Sequence, residues 1–237
     1  MNYSKGCFIG RIWDNLKDGP SLIKIKDGDV YDITSKEIPT VRDLLELEDV
    51  KNYLSNVQGI KLLSLEELFV SSLKKKAEYY LLAPCDFQAI KACGVTFAKS
   101  MVERVIEERA AGDPKKAESL RNHIGGLIGD SLQNIIPGSD KALEVKSALI
   151  KEGLWSQYLE VGIGKDAEVF TKAQTLSSVG FGAEVGLNPI SNWNNPEPEI
   201  VLAVNSKGII KGATLGNDVN LRDVEGRSAL LLGKAKD

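Results

Sequence analysis

The stretch Asn195-Pro-Glu-Pro-Glu-Ile-Val-Leu-Ala-Val-Asn-Ser-Lys-Gly-Ile-Ile-Lys-Gly-Ala-Thr-Leu-Gly-Asn-Asp218 decides how the C-terminal part of the chain is organised. Glu197 and Glu199 are two residues apart and lead into an apolar run. On an extended strand such residues point to the same face. The Asn-Ser-Lys-Gly segment that follows predicts a turn, and the apolar residues after it predict a returning strand. The stretch therefore predicts a β-hairpin with acids at its open end.

The register of this hairpin decides whether a third acid joins the pair. A reversal centred on Ser206 and Lys207 places Gly216 opposite Glu197 and Asp218 one diagonal step away. Three carboxylates so close together are unfavourable unless they are protonated or bridged by a cation. Oxygen ligands without His or Cys favour Mg²⁺ or Ca²⁺ over Zn²⁺.

The residues alone leave two interpretations of these acids open, a metal site and a solvated pair on an edge strand. Apolar side chains on both faces of residues 200–204 predict a strand that is covered on both sides. Acids at the end of such a strand need partners, so the metal site is a hypothesis of equal standing with the solvated pair.

Composition excludes several classes of protein. The chain has 237 residues, of which 43% are hydrophobic, so it can bury a sizeable core. A net charge of −3 gives no reason to expect nucleic acid or an anionic membrane as a partner. The three cysteines, Cys7, Cys85 and Cys93, make no disulfide framework. The chain shows neither a signal peptide nor an apolar run of ~20 residues that could span a membrane, so we expect a cytoplasmic protein.

The pattern of predicted strands, turns and helices divides the chain into two domains, residues 1–78 and 79–237. The first is a small α/β module, with a hairpin at Asp27-Gly28 and a helix capped by Thr40. The second begins with a strand that leaves this module and continues with helices over 97–111, 115–132 and 141–151. Short strands are predicted after these helices, at 157–161, 168–172 and between 178 and 186.

Four segments occur in an order that resembles the fumarylacetoacetate hydrolase superfamily. They are Phe170-x-Lys172, Pro196-Glu-Pro-Glu199, Gly216-Asn-Asp-Val-Asn-Leu-Arg-Asp223 and Ala235-Lys-Asp237. Their details are most similar to the branch of 2-keto-3-deoxy-pentonate (arabinonate or xylonate) dehydratases. The resemblance implies an α+β fold with a mixed β-roll, a small N-terminal α/β module and a helical segment between them. Because superfamily members continue beyond the position that matches Asp237, we expect the roll to be incomplete at its C-terminal end.

The resemblance also implies a site and a reaction. A 2-oxo acid would bind a divalent cation, usually Mg²⁺, with Mn²⁺ or Ca²⁺ as alternatives. Dehydration would remove a proton from C3 of a 2-keto-3-deoxy sugar acid and expel the hydroxyl at C4. The implied metal ligands are Glu197, Glu199 and Asp218, the candidate base is Lys236, and the candidate proton donor is Glu168. Lys172 and Arg222 are candidates for binding substrate, and a structural salt bridge to Asp223 or Glu225 is the alternative for Arg222.

Two alternatives to the dehydratase stay open. Hydrolase and decarboxylase members of the superfamily, which cleave 2,4-dioxo acids, use a His-Glu pair. The segment resembling theirs has Glu103 but carries Ser100 at the position of the histidine, which favours a lyase. The second alternative is a catalytically incomplete fragment that acts as a non-enzymatic fold. In the enzyme, the expected partners are the small 2-oxo acid and further copies of the chain, as a homodimer or higher homo-oligomer.

Overall fold

The computed structural model of the chain describes residues 6–74, 77–94, 102, 105–106, 109–110, 114–128 and 135–236. The chain divides into two compact units, the first formed by Met1–Ile90 with Thr171–Asp237 and the second by Lys91–Phe170. Both helices and strands are present, as predicted from the sequence. The domain boundary after residue 78 and the β-roll stay predictions.

The first unit begins with a five-stranded antiparallel sheet in the order β4-β3-β2-β1-β5. Its strands are β1 (Phe8–Asp14), β2 (Gly19–Lys26), β3 (Asp29–Asp32), β4 (Ile60–Ser64) and β5 (Tyr79–Leu82). Asp27 and Gly28 turn the chain between β2 and β3 with positive φ, as the Asp-Gly pair predicts. β5, which follows the predicted boundary, pairs with β1 along the edge of this sheet.

Helices cover both faces of this sheet. Leu22 and Ile23 are neighbours on β2, so they point to opposite faces, and both are buried. Ile23 packs with Leu68 of α3 (Leu65–Ser72). Leu22 packs with Leu44 of α1 (Val41–Glu46), and α2 (Val50–Asn56) adds Leu54 to the same core. Thr40 caps α1 by accepting a hydrogen bond from the Asp43 amide, as predicted.

The second unit is mainly helical. It contains α4 (Pro114–Ile128), α5 (Asp140–Lys151) and α6 (Gln157–Ile163), and its core includes Val105, Leu149 and Leu159. The prediction of a strand at 157–161 is wrong, because Leu159 and Ile163 are buried at helical spacing. The helix predicted over 97–111 falls largely outside the described residues, as do Ser100 and Glu103. β6 (Ile90–Cys93) pairs with β7 (Val169–Ala173), which confirms the strand predicted at 168–172.

The C-terminal part of the first unit carries the acidic hairpin. Its strands are β8 (Asn194–Asn195), β9 (Pro198–Val204), β10 (Ile210–Asn217) and β11 (Asn220–Leu221), with β9 paired to β10 and β8 to β11. They are followed by α7 (Arg222–Glu225), a 3₁₀ helix (Ala229–Leu231) and α8 (Leu232–Ala235). The strands predicted between 178 and 186 are not formed, because those residues adopt turns and irregular backbone. Within the described residues, no helix has the length and apolar character needed to cross a bilayer.

The prediction that β9 is covered on both sides is wrong. One face is anchored through Ala203, which packs against the core around Leu22. On the other face, the cross-strand partners Ile200 and Leu215 are 74% and 82% exposed. The described residues therefore supply apolar packing for one face of the hairpin and leave the second face open.

Candidate metal centre

The turn and a bulge set the register of the β9–β10 hairpin. The side-chain oxygen of Asn205 accepts hydrogen bonds from the Lys207 and Ile209 amides, and Gly208 has a φ of 75°. A register shift then occurs between Ile210 and Gly212.

This shift changes which residues face each other at the acidic end. Gly216 lies opposite Glu199, so the predicted pairing of Gly216 with Glu197 is wrong by two residues. The Asp218 amide donates to the Glu197 carbonyl oxygen at 3.0 Å. Asp218 is therefore opposite Glu197, closer than the diagonal step that the sequence predicts.

The structure brings the three predicted acids together. Carboxylate oxygens of Glu197, Glu199 and Asp218 lie within 4.8 Å of one another. Asp218 is 8% exposed, and the two glutamates are partly buried. The donor set consists of oxygen atoms alone, the set that Mg²⁺ and Ca²⁺ prefer.

Lys236 lies within this group of acids. It follows α8 and is 5% exposed. Its ammonium donates to Glu197 Oε2 and, at 3.0 Å, to Asp218 Oδ2. The helix before it is held by a small apolar core in which Ala235 packs with Leu221 and Val224. The candidate base is thus fixed beside two of the candidate metal ligands.

Lys172 and Arg222 have protein partners in the first unit. The Lys172 ammonium donates to the carbonyl oxygens of Val219, at 3.0 Å, and Lys236, and lies 3.1 Å from Asp218 Oδ1. Arg222 Nη1 donates to Glu225 Oε2 at 3.0 Å. These contacts favour structural roles, and substrate binding by either residue stays a prediction.

Glu168, the candidate proton donor, belongs to the second unit. It stands directly before β7, and its carbonyl oxygen accepts a hydrogen bond from the Gly94 amide at 2.9 Å. Its role in proton transfer stays a prediction.

The acids respond differently to their surroundings. Burial favours a higher pKa for Glu197, but hydrogen bonds from Lys236 and Asn220 outweigh burial and lower that pKa. Burial and the nearby charge of Asp218 raise the pKa of Glu199. For Lys236, burial favours a lower pKa, but the contacts with Glu197 and Asp218 outweigh it and raise the pKa. Glu199 is therefore the glutamate whose charge is less well compensated by the protein.

Sequence reasoning missed Asn220. Its side-chain amide donates to Glu197 Oε1 at 2.9 Å and to Glu225 Oε2 at 2.7 Å. The sequence signal that could have identified Asn220 is its spacing of two residues from Asp218, because on an extended backbone such residues point to the same side.

Comparison with known proteins finds relatives of one kind. A probable 2-keto-3-deoxyxylonate dehydratase of Haloferax volcanii is 36% identical over 98 residues, covering 41% of this chain and 32% of the relative. A 2-dehydro-3-deoxy-D-arabinonate dehydratase of Saccharolobus solfataricus is 38% identical over 69 residues, covering 29% of this chain and 23% of the relative. The predicted resemblance to sugar-acid dehydratases is confirmed. No protein-family profile matches the chain.

Solved structures show the same likeness at the level of the fold. One is a 2-keto-3-deoxy-D-arabinonate dehydratase complexed with magnesium and 2,5-dioxopentanoate, with a TM-score of 0.58 and 18% identity. The match covers 96% of this chain and 60% of that protein. The apo form of such a dehydratase gives a TM-score of 0.59 at 17% identity, with 96% and 61% covered. The chain thus spans about a quarter to a third of the curated relatives and about three fifths of the solved ones.

Proposed function

We propose that this chain carries the divalent-cation site of a dehydratase acting on a 2-keto-3-deoxy sugar acid, a pentonate. The observation that carries the proposal is the convergence of Glu197, Glu199 and Asp218 within 4.8 Å, with Lys236 among them. Two curated relatives that match part of the chain are named as dehydratases, which supports the proposal. The reaction, substrate and metal of the whole protein are part of this proposal.

The residues present fit a hard divalent cation. Asp218 Oδ1 is buried and receives no hydrogen bond from the described residues, although the Lys172 ammonium lies 3.1 Å away. An ionised carboxylate in such a place is stabilised by a cation that takes its free lone pairs. The raised pKa of Glu199 indicates the same need, since a cation favours its ionised form. We therefore propose these three acids as ligands of Mg²⁺, with Mn²⁺ or Ca²⁺ as substitutes.

The balance of charge in the site suits a substrate with one carboxylate. Among the described residues, four carboxylates and three cationic side chains are connected by ion pairs, hydrogen bonds or close approach. Their charges sum to one negative charge. A divalent cation turns this into one positive charge while Lys236 is protonated, and a monocarboxylate substrate neutralises it. Loss of the Lys236 proton, which the base requires, then leaves one negative charge. The linked groups are Glu197, Glu199, Asp218 and Glu225 with Lys172, Lys236 and Arg222.

The proposed chemistry assigns one role to the cation and one to each candidate residue. When bound, Mg²⁺ supplies a Lewis acid that stabilises negative charge on the 2-oxo group. Lys236 accepts the proton from C3, and the hydroxyl leaves from C4 with a proton, so one water molecule is lost. Glu168, which belongs to the second unit, stays a prediction as the donor of that second proton. The carboxylates around Lys236 raise its pKa, whereas a cation beside it acts in the opposite direction and favours the neutral amine that the base requires.

Glu199→Gln tests the role of the acids. The substitution keeps the shape of the side chain and removes its charge. We expect the rate of Mg²⁺-dependent dehydration of 2-keto-3-deoxy-arabinonate or -xylonate to fall by at least about 100-fold, because a Lewis acid contributes several kcal/mol to such a step. The rate is measured by release of the dioxo acid, with and without EDTA.

Glu37→Gln is the matched control, since Glu37 is an exposed glutamate in the same unit, and it should keep full activity. Full activity in Glu199→Gln would rule out the metal role of this acid. Cleavage of acylpyruvates in place of dehydration would favour the hydrolase alternative, and an absence of both activities would favour the incomplete fragment.

A further inference from the structure

Asn220 connects the candidate metal centre to the helix that follows it. It lies on β11 and is fully buried. Its side-chain nitrogen donates to Glu197 Oε1 at 2.9 Å and to Glu225 Oε2 at 2.7 Å. Ionised carboxylates only accept hydrogen bonds, so the amide NH₂ must be the group between them, and it uses both of its protons.

The far end of this bridge is anchored. Arg222 Nη1 donates to the same oxygen of Glu225 at 3.0 Å, and this glutamate side chain is 12% exposed. α7, which carries both residues, is fixed by buried Val224. Asp223 on the same helix accepts hydrogen bonds from Ser191 Oγ at 2.5 Å and the Asn192 amide at 3.0 Å. Glu225 is thus a fixed point from which Asn220 can hold another side chain.

The near end of the bridge constrains one oxygen of Glu197. Asn220 occupies Oε1, whereas Oε2 contacts the Lys236 ammonium that also binds Asp218. The carboxylate therefore has two distinct edges, one held by the amide and one directed toward the other acid. Glu197 is 24% exposed in its side chain, so without this hydrogen bond it could rotate away from Asp218.

We propose that Asn220 is a positioning residue for the cation, acting through Glu197 so that Oε2 is the oxygen presented to the ion. This inference rests on the proposed function. Outer-shell hydrogen bonds to ligands typically change metal affinity by about 10- to 100-fold. The buried side-chain oxygen of Asn220, which has no hydrogen-bond donor among the described residues, indicates that the side chain is placed for its NH₂ group.

Asn220→Leu tests the proposal, because leucine has nearly the same shape and neither donor nor acceptor. Mn²⁺ is titrated into the metal-free chain and the bound ion is followed by electron paramagnetic resonance. We expect Mn²⁺ affinity to fall about 10- to 100-fold. We also expect the spectrum of the bound ion to change, since Oε1 becomes free to join its coordination. Asn220→Ser, which keeps one O–H donor, should recover part of the affinity and of the original spectrum.

The control is Asn52→Leu, the same change at an exposed asparagine on α2, which should bind Mn²⁺ like the unsubstituted chain. Thermal melting accompanies each titration, and Asn220→Ser decides the test if Asn220→Leu is unfolded. Unchanged affinity and spectrum in a folded Asn220 variant would overturn the positioning role and leave the metal site standing. Failure of the unsubstituted chain to bind Mn²⁺ would overturn both.

Discussion

Buried aspartates in the first unit differ in the partners that hold them. Asp32 accepts hydrogen bonds from the Thr34 amide and hydroxyl, and Asp86 accepts them from the Val41 and Arg42 amides. Among the described residues, Asp218 accepts a hydrogen bond from the Lys236 ammonium and none from a backbone amide. The first two therefore have structural roles, whereas the side-chain partners of Asp218 among the described residues are two ammonium groups, those of Lys236 and, 3.1 Å from Oδ1, Lys172.

Asp32→Asn tests the structural role of a buried carboxylate. Burial favours a higher pKa for Asp32, but hydrogen bonds from Lys17 and Thr34 outweigh it and lower the pKa below 3.8. This contribution to stability is complete above the unfolded pKa of 3.8 and is lost as the pH falls through the folded pKa. We expect the substitution to cost about 1–2 kcal/mol near pH 7, because Lys17 is half exposed and its ion pair is screened.

Urea unfolding at neutral pH and near pH 3 measures this difference. The difference in the free energy of unfolding between the unsubstituted chain and Asp32→Asn should be smaller near pH 3 than at neutral pH. Asp18→Asn is the control at an exposed position with a φ of 53°, which asparagine tolerates, and should change stability by less than about 0.5 kcal/mol. A gap that stays constant with pH would contradict the role assigned to the charge of Asp32.

The three acids of the candidate site could be predicted from the sequence because they are close to one another along the chain. Glu197 and Glu199 share a face through simple alternation, and one turn is enough to bring Asp218 to them. Asn220 was not predicted, since its partner Glu225 lies on a helix whose position depends on buried Val224. A hydrogen-bond network is harder to predict from sequence than two residues on one strand, because the position of each member depends on the packing of another element.

Among the elements, the cap of α1 and the turn at Asp27-Gly28 were predicted from local signals, whereas the strands at 157–161 and between 178 and 186 and the long-range contacts were not. Thr40 caps α1 from the adjacent position and was predicted. Asp86 also caps this helix, at 2.7 Å from the Val41 amide and 3.1 Å from the Arg42 amide, from 45 residues away. The hairpin register was mispredicted because the turn is closed by Asn205 and Ile209 and a register shift follows between Ile210 and Gly212. The side chain of Lys211, at the register shift, donates to the Leu47 carbonyl oxygen at 2.8 Å, a contact that no local pattern reveals.

Asp86→Ala tests the long-range cap. The change leaves the Val41 amide, which is buried, and the Arg42 amide without an acceptor, so we expect a loss of about 2–3 kcal/mol in the free energy of unfolding. Asp86→Asn keeps one acceptor oxygen and should lose less. Urea unfolding gives the energies, and hydrogen exchange should show faster exchange at the start of α1. Equal losses in the two variants, with no change in exchange, would contradict the capping role.

Across the whole chain, the three candidate ligands are grouped at one end of a hairpin that has one open apolar face. Ile200 and Leu215 on that face are among its most exposed apolar residues. The sequence predicted the mixture of helices and strands and the segments that carry the site. The coverage of β9 was mispredicted, because a continuous apolar run shows that both faces are suited to packing without showing what packs on them.

The most direct test of the account is the position of a bound ion. Crystals of the chain grown with Mn²⁺ would be measured near the manganese absorption edge, and an anomalous difference map calculated. We predict a single strong peak in contact with carboxylate oxygens of Glu197, Glu199 and Asp218. A map without a peak between these three side chains, at Mn²⁺ concentrations that saturate the dehydration assay, would contradict the account.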